Sequence, residues 1–392
     1  MKNIKINEKD FSQQILNQLK LICPEKKFYA LHEPNFVGKE WEYVKECIDT
    51  KWVSSAGKFV DEFEKKIAQF TGVKYAIATS SGTAALHVAL LLAGIKPNDE
   101  VLTPTLTFVA TTNAIKYCNA IPHFVDSDYQ TLGVNPKKLE RYLKEITIIK
   151  NNECINKKTN RRIKALIVMH TFGHAVNLTE IVKIAKKYKI DLIEDAAEAL
   201  GTYYKNKHVG NWGKLSILSF NGNKLLTTGG GGMILTNNKT LAKKAKFITT
   251  TAKKSHPYLF NHSEIGFNYR LPNINAALGV AQMEYITQTL EKKRQLAQKY
   301  IEIFQDLKGL KTFNEPKYCK SNYWLNVLLL DEPNIKLRNQ ILEKTNSNNI
   351  MTRPVWTLMH KLPIFKDCPK MNLNIAENIS KRLINMPSST FL

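Results

Sequence analysis

Short apolar runs alternate with helical periods through the first two-thirds of the chain, beginning with YAIATS at Tyr75 and the helix-like TAALHVALLLAGI from Thr83. The alternation continues through VLTPTL at Val101, HFVDSD at His123, ALIVMH at Ala165, TEIVKIAKKYKI at Thr179 and DLIED at Asp191. Continuous apolar strands divided by amphipathic helices predict an α/β fold. Its sheet is mostly parallel and covered on both faces, with the chemistry at the carboxyl ends of the strands. After Pro272 the pattern NINAALGVAQMEYITQTLEKKRQLAQKYIEIFQDL is too long for a crossover helix and reads as a bridge to a second domain. That domain is predicted to hold a strand over residues 323–330, a helix around 335–346 and a final helix near 375–384. Residues 151–162, NNECINKKTNRR, read as a solvated loop.

A chain of 392 residues exceeds one ordinary domain, so two are expected. The division read from the pattern is an N-terminal helical segment over 1–35, a large domain over 36–275 and a smaller C-terminal α/β domain over 276–392.

Lys and Arg outnumber Asp and Glu by 57 to 34, a net charge of +23. Such an excess suits nucleic acid, an anionic membrane or an anionic small molecule. The lysines, however, are scattered (Lys26, Lys27, Lys186, Lys187, Lys243, Lys244, Lys292, Lys293), and no helix-turn-helix, zinc or RNA-binding signature accompanies them. The charge therefore reads as compositional bias, with no nucleic-acid partner expected. Six widely spaced cysteines without a C-x-x-C match neither a zinc site nor an iron–sulfur cluster, so no metal is expected and a reducing compartment fits. The first twenty residues lack the apolar stretch of a signal peptide, and no run of eighteen apolar residues occurs, so a cytoplasmic protein without a membrane span is expected.

Three segments carry chemistry. In SFNGNKLLTTGGGGMILT, Lys224 precedes two threonines and four glycines. A phosphate-binding P-loop needs the lysine after its glycines and a helix beyond, so this turn suits instead an amine with room for a flat ring; a merely solvated lysine fits the segment equally. In LIEDAAEALG, Asp195 closes a predicted strand. A buried carboxylate there stays ionised only against a cation such as a protonated pyridine nitrogen; a helix N-cap is the plain alternative. ATSSGTAALHVAL runs from a strand into a helix N-terminus, whose free N–H groups suit a phosphate, although Ser and Thr cap many helices without any ligand. Amine, ring counter-ion and phosphate cup together match the parts of pyridoxal phosphate.

With these residues in view, the chain resembles the sugar-nucleotide aminotransferases of the DegT/DnrJ/StrS family, fold-type-I pyridoxal-phosphate enzymes. The resemblance covers nearly the whole chain through HEPNFVGKEWEYV, GTAAL, TPTLTFVATTNAI, HTFGHAVNL, IEDAAEALG, SFNGNK, TTGGGG, GFNYRLPNINAALGVAQ, RPVW and NMPSS, in family order. It implies that Lys224 carries the cofactor as a Schiff base, that Asp195 pairs with the pyridinium nitrogen, that Glu198 sits beside the ring and that Phe108 stacks on it. It further implies a phosphate held by Gly82, Thr83 and Ser219, with Asn268 reaching over from a second subunit, hence a homodimer with active sites at the subunit interface.

Family dehydratases replace the lysine with His, and here the lysine is present. Gly230 stands where many relatives have Glu, which resembles a subgroup acting on UDP-linked 4-keto-6-deoxy N-acetylhexosamines in legionaminic-acid-type pathways. The implied reaction moves an amino group from L-glutamate to the keto carbon of such a sugar. A dehydratase or epimerase with the same cofactor, or a GDP- or dTDP-linked sugar, is the alternative. Trp52, Tyr269, Arg353 and His360 are substrate candidates by position in subgroup-like motifs, although Trp52 equally suits core packing and Arg353 a surface ion pair. His170 and His174 read as pocket or packing residues.

Overall fold

The computed structural model describes residues 8–24 and 28–392; residues 1–7 and 25–27 of the expected N-terminal segment lie outside the described residues. The main sheet has seven strands: β1 (Tyr75–Thr79), β2 (Glu100–Pro104), β3 (Ile121–Val125), β4 (Ile163–Met169), β5 (Asp191–Asp195), β6 (Leu215–Ser219) and β7 (Gly232–Thr236). Their spatial order is β1-β7-β6-β5-β4-β2-β3. All neighbours from β6 to β3 pair parallel, while β7 runs antiparallel to both β1 and β6.

Successive strand residues point to opposite faces, and both faces are apolar, as a doubly covered sheet requires. Ile77, Val101, Ile167, Ile193, Ile217 and Ile234 face the helices Gly82–Leu92 and Val109–Tyr117. Leu102, Leu166, Val168, Leu192, Leu218 and Leu235 face the other layer, which includes the helix Leu178–Lys187.

A second, antiparallel sheet orders Leu310–Thr312, Asn326–Leu330, Leu383–Met386 and Arg353–Pro354. The N-terminal helix Glu8–Ile22 packs into its core, Phe11, Ile15 and Leu19 meeting Leu328, Leu337, Ile341 and Ile384.

Several local expectations change. The long helical pattern is two helices, Asn273–Met283 and Ile286–Phe304. The break falls at Tyr285, whose hydroxyl is drawn aside to Glu40 and to the carbonyl of Asn35. The first of these helices spans the expected boundary between residues 275 and 276. Residues 151–162 are not simply a loop: Thr147–Lys150 pairs with Glu153–Asn156 around Asn151 and Asn152, whose φ values of 51° and 60° are those of a tight primed turn. The final helix stops at Ser380, and the fully buried Leu383–Met386 then enters the small sheet as a strand. Residues 323–325 precede the strand Asn326–Leu330 in irregular backbone, Tyr323 at φ 47°.

The six cysteines are free thiols. Among the described residues no helix is long and apolar enough to cross a membrane, and no group of three or more His, Cys, Asp or Glu side chains is placed to hold a metal.

Candidate active site

The site forms where the sheet's strands end. β5 closes on Asp195, β6 closes on Ser219, and the loop after β1 leads through Ser80 and Ser81 into the helix Gly82–Leu92. Parallel strands bring their carboxyl ends to one edge, so residues far apart in sequence meet there. They line a cavity of about 310 Å³. Its walls include Gly82, Thr83, Phe108, Asp195, Glu198, Ser219 and Lys224, joined by Ser81, Thr111, Asn223, Trp324 and Trp356.

Lys224 lies at the end of a turn closed by its own N–H on the carbonyl of Asn221 (2.9 Å). Its Nζ donates to Glu198 Oε1 at 3.2 Å and lies 3.9 Å from the centroid of the Trp324 indole. The second oxygen of Glu198 accepts the N–H of Phe172 at 2.9 Å. Burial pushes the Glu198 carboxyl up to about 7, outweighing the pull of Lys224. The desolvation cost of an enclosed carboxylate exceeds what one amine returns.

Asp195 is also buried, held by the hydroxyl of Thr111 (2.7 Å) and the N–H of Ala197 (3.2 Å). Burial raises its carboxyl above the ordinary aspartate range although both donors and Lys224 pull it down. A cation placed against it would relieve that cost. Its neighbour Glu194 turns to the opposite face of β5. There His170, Ser216 and the N–H groups of Gly210, Trp212 and Gly213 bind it. Burial alone would raise Glu194, but the His170 contact and those backbone donors carry it below the usual range. It is a structural anion, and Asp195 is the one left facing the cavity.

At the other end, Ser81 caps the helix by accepting the N–H of Ala84 (3.1 Å). A side chain at Gly82 would place its Cβ 2.8 Å from Ser219 Cβ, so the glycine allows the helix start and the end of β6 to close on the same space. Unpaired N–H groups and two hydroxyls at a helix N-terminus suit a phosphate. Phe108, half-exposed before the helix Val109–Tyr117, approaches Trp356 with ring centroids 6.0 Å apart.

Asn268, Trp52, Tyr269, Arg353 and His360 do not line the cavity of a single chain. Asn268 accepts from Arg270 Nε (2.9 Å), and Tyr269 stacks on Phe267. Trp52 and Arg353 are exposed, so Trp52 is not core packing within this chain. His360 is tied to Thr105 Oγ1 (2.7 Å) and Glu377 (3.1 Å). His170 binds Glu194, and His174 packs against Phe313 and Tyr323; both are packing residues. The sequence reading missed Thr111, Trp324 and Trp356. Thr111 lies in the first helical turn after Phe108 and Trp356 closes RPVW, both within motifs already singled out, whereas Trp324 carries no local signal.

Residues 35–392 match the model of the DegT/DnrJ/EryC1/StrS aminotransferase family. The chain belongs to that family. This aminotransferase is 38% identical over 364 residues to the GDP-perosamine synthase of Escherichia coli O157:H7, covering 92% of this chain and 93% of that one. It is 33% identical over 337 residues to the UDP-4-amino-4,6-dideoxy-N-acetyl-beta-L-altrosamine transaminase of Campylobacter jejuni, covering 86% of each. Among solved structures it resembles Helicobacter pylori PseC, an aminotransferase of pseudoaminic acid biosynthesis, with a TM-score of 0.83, 25% identity, and 92% and 94% coverage of the two chains.

The aminotransferase has the fold-type-I architecture, and its cofactor is pyridoxal phosphate. The cavity fits that group: a buried carboxylate short of a cation, a lysine amine, and a helix N-terminus whose glycine makes room at the other end.

Proposed function

We propose that this aminotransferase moves an amino group from L-glutamate to C4 of a nucleotide-linked 4-keto-6-deoxy sugar, in sugar-nucleotide biosynthesis for a surface glycan or nonulosonic acid. The observation that carries this reading is the convergence of Lys224 Nζ, the Asp195 carboxylate and the Gly82 helix end on one 310 Å³ cavity. Pyridoxal phosphate supplies an electron sink that lets the proton on the carbon bearing nitrogen leave and return.

The chain's residues do the rest. Gly82, Thr83 and Ser219 would hold the phosphate, Asp195 would keep the ring nitrogen protonated, and Phe108 would cover the ring. Lys224 would bond the cofactor in the resting enzyme and, freed when the donor's amine takes its place, would hold and move the proton at the donor carbon and then at the sugar carbon. Glu198 gives that amine a fixed neighbour.

Lys224 is the one cationic side chain lining the cavity among the described residues. Glutamate and a sugar diphosphate are both anions, so further cations must come from outside this wall. Asn268 and Arg270 stand in a segment exposed beside Ile265 and Phe260, and Trp41 and Trp52 are exposed as well. A homodimer in which this segment reaches the neighbouring site accounts for both facts. At the mouth of such a site Trp52, Tyr269, Arg353 and His360 would meet the sugar nucleotide.

The motif pattern around Gly230 and RPVW favours a UDP-linked N-acetylhexosamine. A GDP-linked sugar is the second reading, supported by the higher identity to the synthase named for GDP-perosamine.

The test is incubation with L-glutamate and UDP-, GDP- and dTDP-linked 4-keto-6-deoxy sugars, reading products by mass. Exchange of the keto oxygen for an amino group is expected, and loss of a hydroxyl without nitrogen gain would instead indicate a dehydratase. Lys224→Ala should abolish both transfer and the visible absorbance of the lysine-bound cofactor, and retention of both would overturn the assignment.

A further inference from the structure

Trp324 belongs to the irregular segment ahead of the strand Asn326–Leu330, in the second sheet, yet its ring lies in the wall of the cavity of the first. It is fixed from several directions. The indole N–H donates to the carbonyl of Asn223 (2.8 Å), the residue immediately before Lys224. Its backbone N–H donates to Asn322 Oδ1 (2.9 Å), and the Asn322 amide donates to the carbonyls of Glu198 and Leu200, both at 2.9 Å. Its own carbonyl accepts from the buried Lys293 amine (2.9 Å), which also donates to the carbonyl of Ser388. Burial pushes the Lys293 amine well below the ordinary lysine range.

One buried asparagine thus ties the indole to the segment bearing Glu198, and the indole in turn is tied to the turn bearing Lys224. The Lys224 amine sits between the two, 3.9 Å from the ring centroid and 3.2 Å from the carboxylate. An ammonium over a desolvated indole face is attracted by the ring's negative quadrupole, and a fixed aromatic surface also limits the rotamers of a long side chain.

We propose that Trp324 is a positioning residue for Lys224: its indole face, with the Glu198 carboxylate, holds the free ε-amine at one place in the cavity, from which the amine bonds the cofactor and to which it returns. The bonding step joins Nζ to the aldehyde carbon of pyridoxal phosphate. The ammonium held there first passes its third proton to the Glu198 carboxylate; the aldehyde oxygen then leaves as water with the two hydrogens that remain on Nζ, so no reactant from outside the site is needed. The proposal rests on the reading that Lys224 is the bonding amine.

The test uses the full-length protein freed of cofactor, in wild-type, Trp324→Leu, Trp324→Phe and Lys224→Ala forms. Two quantities are measured: the rate at which visible absorbance appears on adding pyridoxal phosphate, and the affinity for pyridoxamine phosphate, which has no aldehyde and cannot bond the lysine. In Trp324→Leu the rate should fall roughly tenfold to thirtyfold, the size of a desolvated cation–π contact. Its pyridoxamine phosphate affinity should stay within about twofold, because that ligand does not use the amine as a bonding partner. Trp324→Phe, which keeps an aromatic face, should recover most of the rate. A wild-type rate in Trp324→Leu would overturn the proposal, and so would parallel loss of both quantities, which would mark a structural role. Visible absorbance in Lys224→Ala would instead overturn the reading of Lys224 itself.

Discussion

Asp195 and Glu198 lie three positions apart at the end of β5, both stripped of water, and they meet different partners: a hydroxyl and a backbone N–H for one, the lysine amine for the other. Asp195→Asn keeps the shape and removes the charge that would hold a ring nitrogen protonated. Single-turnover rates with L-glutamate should fall by roughly 10²–10³-fold, with secondary structure by circular dichroism unchanged. Glu198 yields a pH prediction. Its carboxyl is raised from 4.5 to about 7 in the fold. The folded state therefore binds the extra proton between those values. The stability this group contributes is present below pH 4.5 and lost as pH rises through 7, on the order of 1–3 kcal/mol. Denaturant midpoints of cofactor-free protein should show that decline in the wild type and not in Glu198→Gln; an equal decline in both would refute it. Legibility at this scale follows from covalent distance. Gly82, Thr83, Asp195 and Lys224 stand in segments whose own residues mark them, whereas Phe108, Glu198 and Ser219 are legible only through the family resemblance. Trp324 reaches the site from 101 residues beyond Asn223, through a fold of the second sheet that no local pattern encodes.

Strand ends, helix starts and turns decide how closely those residues approach one another. At Gly232, the first residue of β7, an added Cβ would lie 2.4 Å from the carbonyl carbon and oxygen of Ser81, so the antiparallel strand and the loop before the helix Gly82–Leu92 touch backbone to backbone. Gly232→Ala should push that loop away. The expected result is a loss of about 1–3 kcal/mol in stability and weaker retention of cofactor on dialysis, followed by absorbance. The βα alternation was readable because apolar runs of five residues and amphipathic helices have different periods. Three elements were not. The Asn151–Asn152 hairpin hid inside a polar, lysine-rich stretch, although paired asparagines with left-handed backbone are what a primed turn takes. The break at Tyr285 depends on a hydroxyl reaching Glu40, a contact between segments 245 residues apart. Leu383–Met386 is buried on all sides, so neither the helical nor the strand period marks it.

For the whole molecule, the exposed apolar surface and the scarcity of cations in the cavity both fit the proposed homodimer. Trp41 is 76% exposed beside Phe36 at 51%. Trp41→Glu should convert a dimer to monomer in sedimentation velocity and lose transfer activity with it, while cofactor bonding by Lys224 persists; a monomeric wild type with full activity would refute the shared site. The net charge of +23 fits an enzyme of anionic substrates, but its spread over the chain says nothing of where they bind. The helix Glu8–Ile22 has a consequence for how the protein is made. Its apolar stripe of Phe11, Ile15 and Leu19 is covered by residues from Leu296 to Met386, so this helix is synthesised well before the residues that bury it. Until then that stripe faces water, a target for chaperones, and a synthesis halted before Leu296 leaves it uncovered.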